Sequence, residues 1–589
     1  MPVRLPIRVP VRLRGLALAA IPVSALAAFS LAVPVAAQSE PAHPADSRTG
    51  AAASGQGHGY GQGNGHGNGH GQHRPTRVVQ IVLDQLRPEF IDAFHMRNVQ
   101  ALMRGGASFK HAYLGHMASE TVVSHNVMTS GMLPKHMGWA DEWYRDADGV
   151  LGPVDGRYVT GSMSQSEFDK LILHRGYPKL ADYLHRAFPG TKVAAIGEKN
   201  YATYSMGGPG ADSRITFGGR NFDCDDDGVA ANNWRGPTGV NVPSYIASPV
   251  CGRFYVNAAK SLDYGTLTTS PAWMYPLEGN RDFPGDDSAH LGGDVWVTDA
   301  AFQYMDHENW SGLLLTYGGI DKAGHMWGGL NDEPPYPAGA DERTHLAHAA
   351  QVADEQVGRV VAKLRAEGLL DDTLIVLTTD HAQQTSVQYF GEDGPGRGNF
   401  NWYYGSDADE AYLSPQPEIQ RLIDETGDNV EMSMQDSAIR TWLKDRSTSA
   451  KQHAADVMST LGGVRASFYR DGDHYVLRHR APRSEFSREE RRWFDEHAQE
   501  IVDTEAADYG PDVIGLLGDG VGYGVKGDHG GAQESVQRIP IVFYGAGVRP
   551  GTSPGGAIRS VDILPTVLSE LGIRATQRMD GRPFTVPGR

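Results

Sequence analysis

The sequence predicts an α/β fold: a largely parallel central sheet flanked by helices on both faces, with cap insertions. Three observations carry that expectation. Short, nearly continuous apolar runs recur along the chain, as strands buried on both faces require. Stretches with helical spacing alternate with them. Several of the runs end directly on Asp or His, and open parallel sheets gather their ligands at the C-terminal rim.

In chain order, the expected strands are VVQIVL (78–83), KVAAIG (192–197), GLLLTY (312–317), TLIVLTT (373–379) and IPIVFYG (539–545). The helical stretches between and after them include Asp299–Met305, His345–Glu367 and Val561–Leu571. Two regions break this rhythm. Residues 200–290 are rich in Gly, Pro, Asp and aromatics, and residues 385–525 carry helix and strand patterns of their own. Both read as insertions capping the sheet, within a catalytic domain spanning 76–589.

The N-terminal segment stands outside this fold. Arg4, Arg8, Arg12 and Arg14 precede an apolar run ending in Val35-Ala36-Ala37. That pattern predicts a secretory signal over 1–37, cleaved before Gln38, and a secreted or periplasmic protein. Pro22 and Pro34 argue against an uncleaved anchor, and no later stretch suggests a stable membrane span. Residues 38–75 read as a flexible linker, because the tract GQGHGYGQGNGHGNGHGQH (55–73) offers no surface to bury.

Composition excludes several function classes. The 589 residues hold 53 Lys+Arg against 71 Asp+Glu, a net charge of −18. Loss of the signal, with four arginines and no acid, would make it −22. Such a chain is not expected to carry a nucleic-acid-binding surface. Two cysteines, Cys224 and Cys251, cannot build a Cys-rich metal scaffold. In an exported protein they are expected to pair, at about 3–4 kcal/mol for a loop of this length.

The chemistry concentrates at the strand ends. Asp84 follows the first apolar run directly. Asp321 and His325 follow the third, in GGIDKAGH, and Asp380 and His381 follow the fourth. A sixth candidate, His529, lies in the glycine-flanked VKGDHGGAQ just before the last run. Any one Asp after a strand is an ordinary helix cap, but three strand ends on one rim form a set. Three Asp and three His make roughly two ligand sets. Mixed O/N ligation favours zinc, with manganese or iron as alternatives. A paired-metal site suits in-line displacement at phosphorus. For a nucleophile, the segment SETVVSHN (119–126) offers Thr121 or Ser119 at an expected helix N-terminus, where N–H donors also favour phosphate.

These blocks together resemble the type I phosphodiesterase/nucleotide pyrophosphatase branch of the alkaline phosphatase superfamily, including its phosphate-irrepressible alkaline phosphatases. The resemblance rests on VLDQLRPEF (82–90), TVVSHNVMTSGMLP (121–134), DKAGH (321–325), TLIVLTTDHA (373–382), GDHGG (527–531) and SVDILPTVLSELGI (560–573). It implies an alkaline-phosphatase-like fold acting on a small phosphoester, and two zinc ions. Asp84, Thr121, Asp380 and His381 would hold one, and Asp321, His325 and His529 the other. It makes Thr121 the nucleophile, forming a phospho-threonine intermediate.

Departures from the family pattern fall on the substrate side. The position of a frequent Asn that donates to the phosphoryl group falls on Asp141 or Glu142, where an acid would repel phosphate. The Lys-x-Arg of monoesterase relatives becomes Lys199-Asn200-Tyr201. Lys199 keeps one cation, while the loss of Arg tilts the balance from monoester towards diester. A sulfatase is the weakest alternative, because no C/S-x-P-x-R block is present. A non-catalytic metal-binding protein is the other, although storage needs no Thr121.

Overall fold

The structure is a computed structural model that describes residues 74–217, 237–247, 289–330, 344–390, 403–405, 415–523 and 526–588. The expected signal, the linker to His73, Cys224 and Cys251 lie outside the described residues.

The central sheet has eight strands. In chain order they are β1 (Arg77–Leu83), β2 (Ala107–Phe109), β3 (Lys192–Gly197), β4 (Ser213–Thr216), β5 (Thr238–Val240), β6 (Trp310–Tyr317), β7 (Thr373–Thr378) and β14 (Ile541–Gly545), the numbers between the last two belonging to a second sheet. The spatial order is β2-β14-β7-β1-β6-β3-β4-β5. The five middle strands β7, β1, β6, β3 and β4 run parallel. Both margins are antiparallel, through β14 and β2 on one side and β5 on the other.

The apolar runs are continuous because both faces are covered. In β1, Val79, Ile81 and Leu83 point to one face and Val78 and Val82 to the other. The first face packs against the helices Ala289–His307 and His345–Ala366, the second against Leu180–Ala187 and Ile563–Leu571. Thr344 starts the 345–366 helix by accepting a hydrogen bond from the Ala347 N–H at 3.1 Å. Among the described residues no helix is long and apolar enough to cross a membrane.

The region from 200 is not wholly a cap. Its helix Asn200–Gly207 and strands β4 and β5 extend the central sheet, with β4 parallel to β3. Within 385–525, the strands β8 (Tyr403–Gly405), β9 (Val430–Gln435), β10 (Ala438–Leu443), β11 (Val464–Asp471), β12 (His474–Arg480) and β13 (Val513–Leu517) form one antiparallel sheet, ordered β8-β9-β10-β13-β11-β12. Helices Thr448–Met458 and Arg488–Val502 cover its two faces. Tyr113 and Met117, from the segment after β2, pack into the second of these layers. The second sheet thereby reaches the segment that leads to Thr121.

Candidate active site

Every candidate metal ligand lies on one rim of the central sheet. Asp84 leaves β1, and its N–H donates to the Tyr317 carbonyl at 3.0 Å, which fixes the turn. Asp380 and His381 leave β7. After β6 the chain turns at once into a helix, Gly319–Trp327, so Asp321 and His325 sit one turn apart on one face rather than in a loop. His529 reaches the same rim by another route. Its strand, β14, runs antiparallel to β7, so the loop preceding it opens onto the edge where the parallel strands end. Lys199, following β3, begins the helix Asn200–Gly207 and brings a fourth parallel strand end to the rim.

The six side chains form two groups, Asp84/Asp380/His381 and Asp321/His325/His529; within each group the ligand atoms lie within 4.8 Å of one another. All are buried. His325 Nε2 is 3.0 Å from Asp321 Oδ1, and His529 Nε2 is 3.7 Å from the same oxygen. In the other group, His381 Nε2 is 3.3 Å from Asp84 Oδ1 and 3.5 Å from Asp380 Oδ2. The His381 and His529 rings stack at 3.8 Å between centroids and join the groups.

This donor set fits divalent cations. Burial, with Asp321 and Asp380 close by, pushes the Asp84 carboxyl well above the usual carboxylate range. Burial acts the same way on Asp321 and Asp380, but His325 and Lys199 for the first, and His381 and His125 for the second, hold both below that range. Burial also pushes the His381 and His529 imidazoles down, leaving neutral rings with a lone pair to give. The His381 Nδ1 lies 3.3 Å from the Ala382 carbonyl, which assigns its proton there and turns Nε2 as acceptor toward Asp84. Among the described residues, nothing donates a hydrogen bond to the buried Asp380 Oδ2. The ionised Asp321 and Asp380 beside the neutral His381 and His529 rings, all buried, call for positive charge. Lys199 supplies part of it, with Nζ 2.7 Å from Asp84 Oδ2 and 2.6 Å from Asp321 Oδ2.

Thr121 opens the ten-residue helix Thr121–Ser130. Its hydroxyl lies 3.3 Å from Lys199 Nζ and 3.3 Å from His381 Nε2. Helix N–H groups and a cation therefore surround this hydroxyl beside the ligand groups. Ser119, the other sequence candidate, instead donates to the Gly531 carbonyl at 3.2 Å.

The two acids in the expected Asn position part company. Asp141 is fully buried and pairs with Arg440 of β10. Glu142 is only half-buried, and its N–H donates to Glu120 at 3.1 Å. After burial, and against the pull of Lys199, the charge of Glu142 helps raise the Tyr201 hydroxyl pKa.

Two supporting groups escaped the sequence reading. Gln85 adopts a left-handed backbone (φ 68°), a conformation that costs a non-glycine residue about 1 kcal/mol. That turn lets its side chain donate to Asp321 Oδ1 at 3.0 Å while its N–H donates to Asp380 Oδ1 at 3.3 Å. Gln383 in turn donates to Gln85 Oε1 at 2.8 Å. His125, one turn beyond Thr121, lies with Nδ1 2.7 Å from the Thr121 carbonyl and Nε2 2.9 Å from Thr316 Oγ1. In the sequence both lie inside blocks that carry the family resemblance, VLDQLRPEF and TVVSHNVMTSGMLP, without a role of their own.

Burial holds the His116 imidazole down at about 3 and that of His125 at about 4. Unfolded histidines take up protons near pH 6.5, so below that value the unfolded state binds more protons and stability falls as pH falls. By pH 5, His116 alone contributes about 2 kcal/mol to that loss. Thermal unfolding of the wild type from pH 7.5 down to 5 is expected to show a falling Tm, and His116→Gln a shallower slope. Identical slopes would contradict a buried neutral His116.

The type I phosphodiesterase/nucleotide pyrophosphatase family matches residues 78–394. Among curated proteins, the chain is 22% identical over 540 residues to alkaline phosphatase PhoK of Sphingomonas sp., covering 86% of this chain and 90% of that protein. It is also 22% identical over 551 residues to alkaline phosphatase PhoD of Zymomonas mobilis, covering 86% and 87%. The crystal structure of wild-type alkaline phosphatase PafA superposes with a TM-score of 0.57 at 15% identity, covering 87% of this chain and 98% of that one, a likeness of fold. With more than half its length matched, the chain belongs to the type I phosphodiesterase/nucleotide pyrophosphatase family and is a phosphoric ester hydrolase.

Proposed function

We propose that the protein is an exported, metal-dependent phosphoric ester hydrolase that works through a phospho-threonine intermediate on Thr121 at a two-zinc site. The observation that carries this reading is the Thr121 hydroxyl, held at a helix N-terminus between Lys199 and the Asp84/Asp380/His381 group. Asp84, Thr121, Asp380 and His381 would hold one zinc and Asp321, His325 and His529 the other. When bound, the two ions supply the positive charge that lowers the cost of negative charge on the attacking and leaving oxygens.

The chain's own groups do the rest. Lys199 donates to Thr121 Oγ1 and favours its ionised form. The oxygen forms a bond to phosphorus as the bond to the leaving oxygen breaks. N–H groups of the first helical turn, with Lys199, orient the phosphoryl oxygens. The phosphoryl group stays on Thr121, bare from a monoester or still carrying its second ester group from a diester, until water breaks the bond between Thr121 Oγ1 and phosphorus, releases it and restores the hydroxyl. Export follows from the signal pattern of residues 1–37, and the Gly/His tract to residue 75 is a spacer.

Diester or pyrophosphate hydrolysis is the preferred reading. Tyr201 stands where the Lys-x-Arg pattern places a second cation, so a doubly charged monoester meets less positive charge. Monoester hydrolysis is the second reading, favoured by Lys199 and by two relatives named as alkaline phosphatases. Metal content measured beside kcat/KM on matched mono- and diester p-nitrophenyl substrates tests both. Tyr201→Arg is expected to raise the monoester-to-diester ratio about tenfold, the scale of one charge-assisted contact. An unchanged ratio would mean that this position does not reach the substrate.

A further inference from the structure

Outside the metal groups, the densest buried charge in the described residues surrounds Arg440. This side chain rises from β10 of the second sheet and is fully buried. Its guanidinium pairs with Glu120, Asp141 and Asp436 and donates to the Gly530 carbonyl. The contacts to Asp436 are forked, at 3.0 and 2.7 Å. Two of these partners are immediate neighbours of the chemistry: Glu120 precedes Thr121, and Gly530 follows His529.

The surrounding backbone converges on the same point. The hairpin between β9 and β10 turns at Asp436-Ser437, and the Ser437 N–H donates to the His529 carbonyl at 2.9 Å. The Gly530 N–H donates to the Ser119 carbonyl at 3.2 Å. Gly530 has φ 82°, and a Cβ there would overlap Asp436 Oδ2, so only glycine lets the carboxylate close on the loop. Three carboxylates buried against one guanidinium are a poor source of stability, because desolvation offsets much of the attraction. A planar, forked cation is instead well suited to hold several fixed acceptors at set distances.

We infer that Arg440 is a positioning residue: a clamp from the second sheet that sets Thr121 relative to His529, and so the nucleophile relative to the second ligand group. It touches no reacting atom. Lysine keeps the charge but cannot reach Glu120 and Gly530 together. The inference rests on Thr121 and His529 acting as proposed above.

The test compares Arg440→Lys, Glu120→Gln and Thr121→Ala with the wild type at saturating zinc. Each kcat is corrected for folded protein, by the amplitude of its thermal transition, and for bound metal. Arg440→Lys is expected to lose about 100-fold in kcat with KM within about threefold, the scale of a misplacement of about 1 Å. Glu120→Gln, which loosens only the nucleophile arm, is expected to lose about tenfold. A purely structural role would lower the folded fraction and leave corrected kcat alone. Corrected kcat for Arg440→Lys within threefold of wild type, beside an inactive Thr121→Ala, would overturn the clamp and leave the nucleophile standing. An active Thr121→Ala would overturn the nucleophile and the clamp with it.

Discussion

Thr121→Ala is expected to lower kcat on p-nitrophenyl mono- and diesters by about 10⁴-fold or more, the usual scale for removing a nucleophile. The change deletes the oxygen that lies 3.3 Å from both Lys199 Nζ and His381 Nε2, and little else. Thr121 is 2% exposed, so the loss of a methyl and a hydroxyl leaves only a small void. Stability should fall by no more than about 1–2 kcal/mol. The six candidate acidic and imidazole ligands remain even if the threonine oxygen contributes to holding a cation, so metal content should change little. Metal analysis beside steady-state rates separates the two effects. Loss of metal together with activity would make Thr121 a ligand first and leave its role as nucleophile open to replacement.

Metal removal is expected to have the second large effect. Chelation should cut activity at least 10³-fold, and added zinc should restore it. The reason lies in the buried charge. Asp84, Asp321 and Asp380 crowd one pocket, and among the described residues the ammonium that reaches two of them is Lys199. Burial beside Asp321 and Asp380 holds the Asp84 proton on, and a cation bound there takes the place of that proton. Saturating cations at a thousandfold excess over Kd should therefore raise unfolding stability by about 4 kcal/mol per site. Calorimetry with and without chelator reads this as a shift in Tm. An unchanged Tm and undiminished activity after verified metal removal would contradict a metal site here.

Much of this arrangement was legible in the sequence for a simple reason. A parallel strand buried on both faces is an unbroken apolar run, and the residues just past its end must lie on the rim. VVQIVL-Asp84 and TLIVLTT-Asp380-His381 are read this way without any knowledge of neighbours. Strand direction is not written in such a run. IPIVFYG has the same apolar character as the parallel strands yet pairs antiparallel to β7. That reversal is what brings His529, before the strand rather than after it, to the rim.

The second sheet was harder to read because its hairpin buries polar residues. Ser433, Gln435, Asp436, Arg440 and Thr441 are all buried there, which erases the apolar alternation that marks a half-buried strand. The same physics hid the fate of Asp141. Its sequence position suggested a phosphate-facing group, whereas Arg440, 299 residues away, takes its carboxylate. Gln85 was hidden differently, since a left-handed glutamine carries no local mark. Long-range charge pairing and isolated backbone strain are properties of the assembled fold, and single-chain periodicity does not report them.

The most direct measurement is a rapid acid quench during turnover, followed by proteolysis and mass spectrometry of the peptide containing residue 121. With slow turnover enforced at low pH, Thr121 should carry phosphate from a p-nitrophenyl monoester and the phosphoryl group with its remaining ester from a diester, at a stoichiometry approaching one per active chain when its hydrolysis limits the rate, and neither adduct should appear on Thr121→Ala. Phosphate on another residue, or an active enzyme that never labels under conditions where dephosphorylation is rate-limiting, would contradict the account.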